Sequence, residues 1–294
     1  MKCRLLYVIL MAVAMMGCSS DEPEIAMGES GDAVVTLNTA GQLDKVLEPR
    51  ANEITKLTVR GPINAEDFNA MWSASFNGQL SVIDLSGAVI DGNEVPACAF
   101  YHPDVQGDLD TNPNKSSKYL ASIKLEQIIL PEGIYQIGAY AFTNVWRLKE
   151  VTIPSTVESI GAYAFADCGL ITVSLSGRIK EIEAYSFFRC TNLWELYLPL
   201  MLESLDKESL NVRFMLQKIY SAAKNPPVCR GAADGDTPFG RYDGQLSNSS
   251  ISTYVPVYVP AGSAELYRNA PGWDYFKNFI ELDPFPTEAA AKMR

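Results

Sequence analysis

The sequence is poor in histidine and in positive charge. It has one histidine, and its 24 Lys and Arg side chains face 35 Asp and Glu side chains, which gives a net charge of −11. Nucleic acid and anionic lipid surfaces would be repelled by such a chain, so we expect neither as a partner. Histidine-based zinc sites are excluded by number. His102 lies in the polar stretch YHPDVQGD and is better explained as a solvated residue than as a catalytic base, so no cofactor is expected.

The N-terminus lacks an apolar run long enough to cross a membrane. Residues 5–16 form an apolar run of 12 residues behind Lys2 and Arg4, whereas a spanning helix needs ~20. Gly17 and Cys18 follow, and the order of charge, apolar run, small residue and cysteine resembles a bacterial lipoprotein signal. We therefore expect a signal peptide over 1–17 and lipidation of Cys18. The alternative is that Cys18 is an ordinary residue of an uncleaved leader.

The stretch after Cys18 has few apolar side chains. Residues 18–32 begin with the polar and acidic SSDEPE and continue with Gly and Ser, a composition that predicts a flexible tether. The acidic run looks like the export signal of Bacteroidota-type lipoproteins. It favours a surface-exposed outer-membrane lipoprotein whose only membrane contact is its lipid anchor, and the alternative is a plain solvated linker.

Cysteine is sparse beyond the anchor, where four residues remain: Cys98, Cys168, Cys190 and Cys229. An even number in an exported protein would permit disulfides. Cys168 and Cys190, however, each follow a repeated phenylalanine by three residues, so they are better explained as small buried residues of a repeat.

What the sequence does contain is an internal repeat. IGAYAF occurs at 137–142 and 160–165, and IEAYSF at 182–187. A six-residue frame whose first, fourth and sixth positions are mostly apolar starts at residues 125, 148, 170, 193 and 216, which are 22 or 23 residues apart. Alternation of this kind predicts a half-buried strand, and a fixed period of this length predicts stacked coils that share one core. The repeated phenylalanines are then the side chains that fill each coil.

The period also divides the chain. After the signal peptide and tether we expect an N-terminal cap with a degenerate first repeat over 33–79 and repeats over 80–221. A polar, turn-rich loop is inserted at 101–120, and long loops of this kind are functional or disordered. A C-terminal cap follows over 222–283, with a tail at 284–294. Both caps are atypical because the ends of a solenoid must close its core.

The phrase L-x-x-V-x-I-P-x-x-V-x-x-I-G-x-x-A-F-x-x-C, read at residues 148–168, resembles the BspA-like leucine-rich repeat family. This resemblance covers 125–220 clearly and 54–100 loosely. It implies an α/β repeat solenoid that is right-handed, with a strand-lined concave face and short helical or 3-10 turns. It also implies a bacterial surface protein, and adhesion to host proteins or other cells is proposed for some members. The chain departs from the pattern at residues 143–145, at Glu183 and at Leu210.

The second, third and fifth positions of each frame point away from the core, so binding residues are expected there. Large aromatic side chains are favoured at the centre of binding interfaces. The candidates on this face are Ile129, Trp194, Glu195, Tyr197 and Tyr220. They predict a non-enzymatic recognition or adhesion protein that binds a host or microbial surface protein or glycan. The alternative is that the aromatic side chains only shield the sheet or pack on the C-terminal cap.

The sequence contains two further patterns that are typical of functional sites. Asp108, Asp110 and Asn112 alternate as in a calcium loop, but Pro113 stands where such a loop needs glycine. Four carboxylates project from the predicted strands: Asp84, Glu126, Glu150 and Glu195. Paired carboxylates are the machinery of glycosidases, so the alternative function is a glycan-processing or hydrolytic accessory protein.

Overall fold

The computed structural model describes residues 22–28, 30–102, 123–175, 177–212, 215–241 and 251–287. The expected signal peptide, Cys18 and the calcium candidate at 108–112 lie outside these residues, as does the inserted loop from residue 103 onward. Among the described residues, no helix has the length and apolar character needed to cross a membrane.

The described chain is made of short strands and few helices. The helices are α1 (Asp44–Leu47), α2 (Ala65–Asn77) and α3 (Ala264–Arg268), with 3-10 turns at Glu48–Arg50, Asp91–Asn93 and Ala232–Asp234. The strands are β1 (Glu24–Met27), β2 (Asp32–Thr36), β3 (Lys56–Ile63), β4 (Val82–Ile90), β5 (Glu94–Val95), β6 (Gln127–Ile129), β7 (Gln136–Ile137), β8 (Glu150–Thr152), β9 (Ser159–Ile160), β10 (Glu181–Ile182), β11 (Glu195–Leu198), β12 (Ser204–Leu205), β13 (Lys218–Ser221), β14 (Val228–Cys229), β15 (Asp236–Thr237), β16 (Gly240–Arg241), β17 (Val257–Pro260) and β18 (Phe279–Leu282).

Successive coils place their strands side by side. Two sheets, β1-β2-β3-β4-β6-β8 and β11-β13-β17-β18, form what we call the front sheets. The two-residue strands β5-β7-β9-β10-β12-β14 form the back sheet, and β15 pairs with β16. Pairing is parallel in the front and back sheets, except between β1 and β2. Most of the repeats thus contribute one front strand and one back strand, as expected for a leucine-rich repeat solenoid.

Burial follows the predicted frame. Leu125, Ile128 and Leu130 are buried, while the side chains between them are partly exposed. The frames that start at residues 54, 80, 148, 170, 193 and 216 repeat this pattern, and Tyr220 is the one outward position among them that is buried. Each fully buried Leu or Ile stabilises the fold by roughly 1.5–3 kcal/mol, so the shared interior holds the coils together.

The AYAF turns are joined by their own ladder of hydrogen bonds. The N–H of Tyr140 donates to the carbonyl of Ala162 in the next coil at 2.9 Å, and the N–H of Phe142 donates to Ala164 at 2.7 Å. The residues between them close their own turn instead, since the N–H of Ala141 donates to Gly138. This alternation requires a left-handed residue in every turn, and Tyr140, Cys98 and their counterparts have φ near +60°.

The repeated phenylalanines stack in register, which confirms the prediction made from the repeat. Phe142 lies 5.2 Å from Phe165, and Phe165 lies 5.3 Å from Phe187, measured between ring centroids, and all three are fully buried. Phe100 extends this ladder at 5.4 Å from Phe142. The coil that begins at Leu80 is therefore complete up to Phe100, and the insertion follows it.

Helix α2 closes the N-terminal end of the ladder. Asn64 caps the helix, because its side chain accepts from the N–H of Glu66 and Asp67 while Asp67 accepts from the N–H of Asn64. Phe68 packs edge-on against Phe100 at 6.1 Å. A full helix here replaces the short turn of the other coils and covers the end of the core.

The flexible tether expected over 18–32 is wrong in its second half. Glu24–Met27 form β1, which pairs antiparallel with β2 from Glu24 opposite Thr36 to Met27 opposite Ala33. The polar composition of this segment did not exclude a strand, because an edge strand buries little of its surface and is held by backbone hydrogen bonds.

The C-terminal cap extends the front sheet and fills the last coil. β17 pairs in parallel with β13, and β18 pairs in parallel with β17. Trp273 and Phe276 are buried behind them, and the indole N–H of Trp273 donates to the carbonyl of Pro227 at 2.9 Å. The short helix α3 lies in this cap, and its first N–H, that of Ala264, donates to the Glu281 carboxylate at 2.9 Å.

The described cysteines are free thiols. Cys168 and Cys190 are buried at the same turn position, and their Sγ atoms lie 3.0 and 3.1 Å from the carbonyl oxygens of Phe142 and Phe165. Burial raises the pKa of both thiols far above the usual value. This confirms their interpretation as small core residues of the repeat.

Candidate functional site

We call the outward side of the front sheets the strand face. It is formed by the second, third and fifth positions of each strand frame. At the fifth position, registered neighbours run across both sheets: Val34, Thr58, Asp84, Ile129, Thr152, Ser174, Tyr197, Tyr220, Tyr258 and Ile280. Most of this row is polar up to Ser174 and aromatic after it, so the strand face has two chemically different parts.

The boundary between the two parts is a break in the sheet. The coil that contains residues 170–175 is joined to β8 by a single bridge, Thr152 to Ser174, and the next regular strand is β11. The turn before this coil is one residue shorter than the turns before the neighbouring coils. Only glycine fits at position 169 in this turn, because a Cβ added there would lie 2.0 Å from the carbonyl oxygen of Trp146. We attribute the lack of regular strand pairing at residues 170–175 to this shorter turn.

Two large apolar side chains are exposed beside this break. Ile171 and Trp194 occupy the second position of neighbouring frames, and they are 47% and 49% exposed. Their second-position neighbours on the other side, Glu126 and Lys149, form an ion pair with 3.0 Å between Oε2 and Nζ. The apolar pair therefore stands next to a charged surface, which is the composition of a protein interaction site with a polar rim.

Tyr197, Tyr220 and Tyr258 form what we call the tyrosine row. They lie opposite one another on β11, β13 and β17. Their ring centroids are 6.3 Å apart between Tyr197 and Tyr220, and 4.6 Å apart between Tyr220 and Tyr258. The sequence predicted Tyr197 and Tyr220 on this face but not Tyr258. Tyr258 lies in the C-terminal cap, where the sequence shows no repeat frame.

The chain itself covers the tyrosine row. After β18, Phe285 lies 6.3 Å from Tyr197 between ring centroids, and the Tyr197 hydroxyl donates to the carbonyl oxygen of Pro286 at 2.9 Å. Pro286 is buried, and Tyr220 is only 2% exposed. The expectation of an open surface at Tyr220 is therefore wrong, because its ring stacks between Tyr197 and Tyr258, and the C-terminal segment lies against Tyr197.

The remaining predicted site residues are not gathered into one cluster. Ile129 is partly buried on β6, three frames away from Tyr197. Glu195 is partly buried opposite Lys218 on β13, and its Oε1 atom is enclosed without a hydrogen-bond partner among the described residues. Of the five candidates, Trp194, Glu195, Tyr197 and Tyr220 lie on neighbouring coils, and Ile129 lies apart from them.

The strand-face carboxylates do not converge on a metal. Glu126 pairs with Lys149, and Asp84 accepts from the N–H of Ser86 at 2.9 Å. Over the described ranges, no group of three or more His, Cys, Asp or Glu side chains is arranged to hold a metal ion.

A second aromatic row lies along the AYAF turns and was not singled out from the sequence. Tyr101, Tyr140, Tyr163 and Tyr185 stack with centroids 5.8, 4.9 and 4.6 Å apart. The pKa of Tyr185 is raised, mainly by burial and also by the nearby Glu208 carboxylate. The repeated Tyr of AYAF and AYSF was the available signal. Since each ring is covered by the next, this row offers ring edges, not open ring faces, to a ligand.

A protein-family model matches the repeat region of the chain. The family model described as BspA type Leucine rich repeat region matches residues 115–226, in six copies. Comparison with curated proteins finds no match.

Comparison with solved structures finds similar bacterial proteins, among them these three. The pneumococcal vaccine antigen PcpA is 15% identical over 78% of this chain and 60% of that chain, with a TM-score of 0.42. A leucine-rich repeat protein of T. pallidum is 16% identical over 70% and 86%, with a TM-score of 0.43. One from Bacteroides ovatus is 14% identical over 91% and 77%, with a TM-score of 0.41. The chain spans 60% of the length of the pneumococcal protein.

Proposed function

We propose, from the premise that residues 115–226 are a BspA-type leucine-rich repeat region, that this chain is a non-enzymatic recognition protein displayed on a bacterial surface. It binds a host or microbial surface protein or glycan through the uncovered part of the strand face. The observation that carries this proposal is the exposed pair Ile171 and Trp194 beside a solvated sheet surface.

The size of the uncovered surface supports this function. The strands β2, β3, β4, β6 and β8, with the coil at residues 170–175, stand next to one another on the side away from the C-terminal segment, and the exposed Trp194 stands at the edge of this surface on the next coil. Neighbouring strands are ~4.8 Å apart, so six coils present a surface roughly 24 Å across. That width accommodates a protein patch or several sugar units, and a solvated, open surface of this kind is suited to binding macromolecules.

We expect Trp194→Ala to weaken binding strongly. A tryptophan at the centre of an interface contributes about 2 kcal/mol or more, which corresponds to a loss of ~30-fold in affinity. Surface plasmon resonance against a panel of purified mucin-type glycoproteins, matrix proteins and bacterial polysaccharides would identify a ligand and measure this loss.

Trp146→Ala is the matched control for this experiment. Trp146 is also a half-exposed tryptophan, at 44%, but it lies in the turn before a strand frame and not on the strand face. Equal affinity of wild type and Trp194→Ala for every ligand found would refute the site. If a panel polysaccharide were cleaved instead, and cleavage disappeared in Glu195→Gln, the alternative hydrolytic function would replace the one proposed.

Surface display is part of the proposal and rests on the N-terminal sequence. The basic residues Lys2 and Arg4, the apolar run at 5–16 and Gly17 before Cys18 support lipidation of Cys18 in the outer membrane. When the full-length gene is expressed with a clickable palmitate analogue, we expect label on the wild type and none on Cys18→Ala. Label that persists in the variant would contradict the lipid anchor.

A further inference from the structure

The C-terminal segment, residues 283–287, lies on the tyrosine row as a bound peptide would. It leaves β18, the last strand of the front sheets, and reaches Tyr197 on β11, which lies beyond β17 and β13 in the strand order. Its sequence is Asp-Pro-Phe-Pro-Thr. The segment forms no strand of its own, so side chains make much of its contact with the sheet.

The contacts resemble those by which aromatic grooves hold proline-rich peptides. Pro286 is buried, its carbonyl oxygen accepts a hydrogen bond of 2.9 Å from the Tyr197 hydroxyl, and Phe285 packs beside the Tyr197 ring. Proline-rich segments lose little conformational entropy on binding because they are already extended, and aromatic grooves exploit this. Tyr197, Tyr220 and Tyr258 stack as three neighbouring rings, so they offer their ring edges and hydroxyl groups to such a peptide.

We propose that the tyrosine row is a binding site for short peptides that carry proline next to phenylalanine, and that residues 283–287 are its occupant within this chain. A peptide of the same chemistry from another protein competes with this segment for the row. This inference deepens the proposed function by naming a partner class for the covered part of the strand face, and it uses residues other than Ile171 and Trp194.

Because residues 283–287 occupy the tyrosine row, they lower the apparent affinity of the row for a peptide from another protein. A segment tethered next to its site acts at an effective concentration in the millimolar range, and binding of a competitor is reduced by the fraction of molecules in which the site is filled. A free peptide is therefore expected to bind the intact protein weakly. Removing the contacts of the segment should make the same peptide bind at least tenfold more tightly.

The test measures fluorescence anisotropy of a labelled peptide, LDPFPTEA, which copies residues 282–289. The full chain is used as wild type and as an opened variant, Phe285→Ala with Pro286→Ala. We expect the opened variant to bind the peptide at least tenfold more tightly than wild type does. Adding Tyr197→Phe, which removes one hydroxyl and keeps the ring, should then weaken binding at least fivefold.

The control peptide replaces both prolines with alanine, and it should bind the opened variant at least fivefold more weakly. Equal affinity of wild type and opened variant, or no effect of Tyr197→Phe, would overturn the proposal. So would the absence of binding to an opened variant that circular dichroism shows to be folded. If the double variant fails to fold, Phe285→Ala alone takes its place with the same expectations. None of these results bears on the surface-ligand experiment, since that experiment contains no peptide and probes Trp194.

Discussion

Phe165→Ala is expected to lower the free energy of unfolding by about 3–5 kcal/mol, the range for deleting a buried phenylalanine. Phe165 is fully buried between Phe142 and Phe187, with centroid distances of 5.2 and 5.3 Å. The substitution opens a cavity and removes a contact with both neighbouring coils. Since a solenoid is stabilised by its coils and the interfaces between them, one vacancy weakens two interfaces.

Urea denaturation followed by circular dichroism would measure this effect. Phe188→Ala is the matched control, because Phe188 is in the same turn region and partly exposed, with an edge-on contact to Tyr185 at 5.4 Å. It should cost about 1 kcal/mol, in the range of ordinary substitutions outside the core. If the two variants unfolded at the same urea concentration, the phenylalanine ladder would not be the core of the solenoid.

Asp67→Ala should be the second most damaging of these substitutions. The Asp67 side chain is fully buried, and its carboxylate accepts from three backbone N–H groups, those of Gly41, Leu43 and Asn64, at 2.7, 2.9 and 2.9 Å. It thereby joins the chain before α1 to the first turn of α2. Alanine would leave these donors without their acceptor, at about 1–3 kcal/mol for each that stays buried, so we expect a total loss of about 3 kcal/mol or more.

The neighbouring acidic residue supplies the control. Glu66→Ala removes a carboxylate from the same helical turn, but the Glu66 side chain is exposed, so its loss should stay within about 0.5 kcal/mol. Asp67→Asn keeps one acceptor oxygen and should fall between the two. Differential scanning calorimetry would rank the three variants, and a Tm for Asp67→Ala equal to that of Glu66→Ala would show that the buried carboxylate does not hold the cap.

The repeat core was predictable because its signal is local and is written several times. The alternation at 125–130 fixes which side chains face inward, and the recurrence of IGAYAF fixes which turn fills the coil. Each copy confirms the register of the others, so even the substitution of phenylalanine by Leu210 leaves a buried side chain in place.

The state of the candidate site was not predictable from the same signals. The frame correctly puts Tyr220 on the outward side, but the buried ring stacks on Tyr258 of the C-terminal cap, more than 30 residues further along the chain. No local pattern reports such a contact. Strand β1 was missed for a similar reason, since its partner β2 supplies the backbone hydrogen bonds that its own composition does not suggest.

Strand β1 also limits the distance between Cys18 and the folded solenoid. Six Cα steps separate Cys18 from Glu24, the first residue of β1, and an extended chain covers them in about 20 Å. With Cys18 acylated as proposed, the first coil stands within that distance of the lipid headgroups and cannot drift further out. The exposed pair Ile171 and Trp194 belongs to coils several repeats further along the stack than this tethered edge.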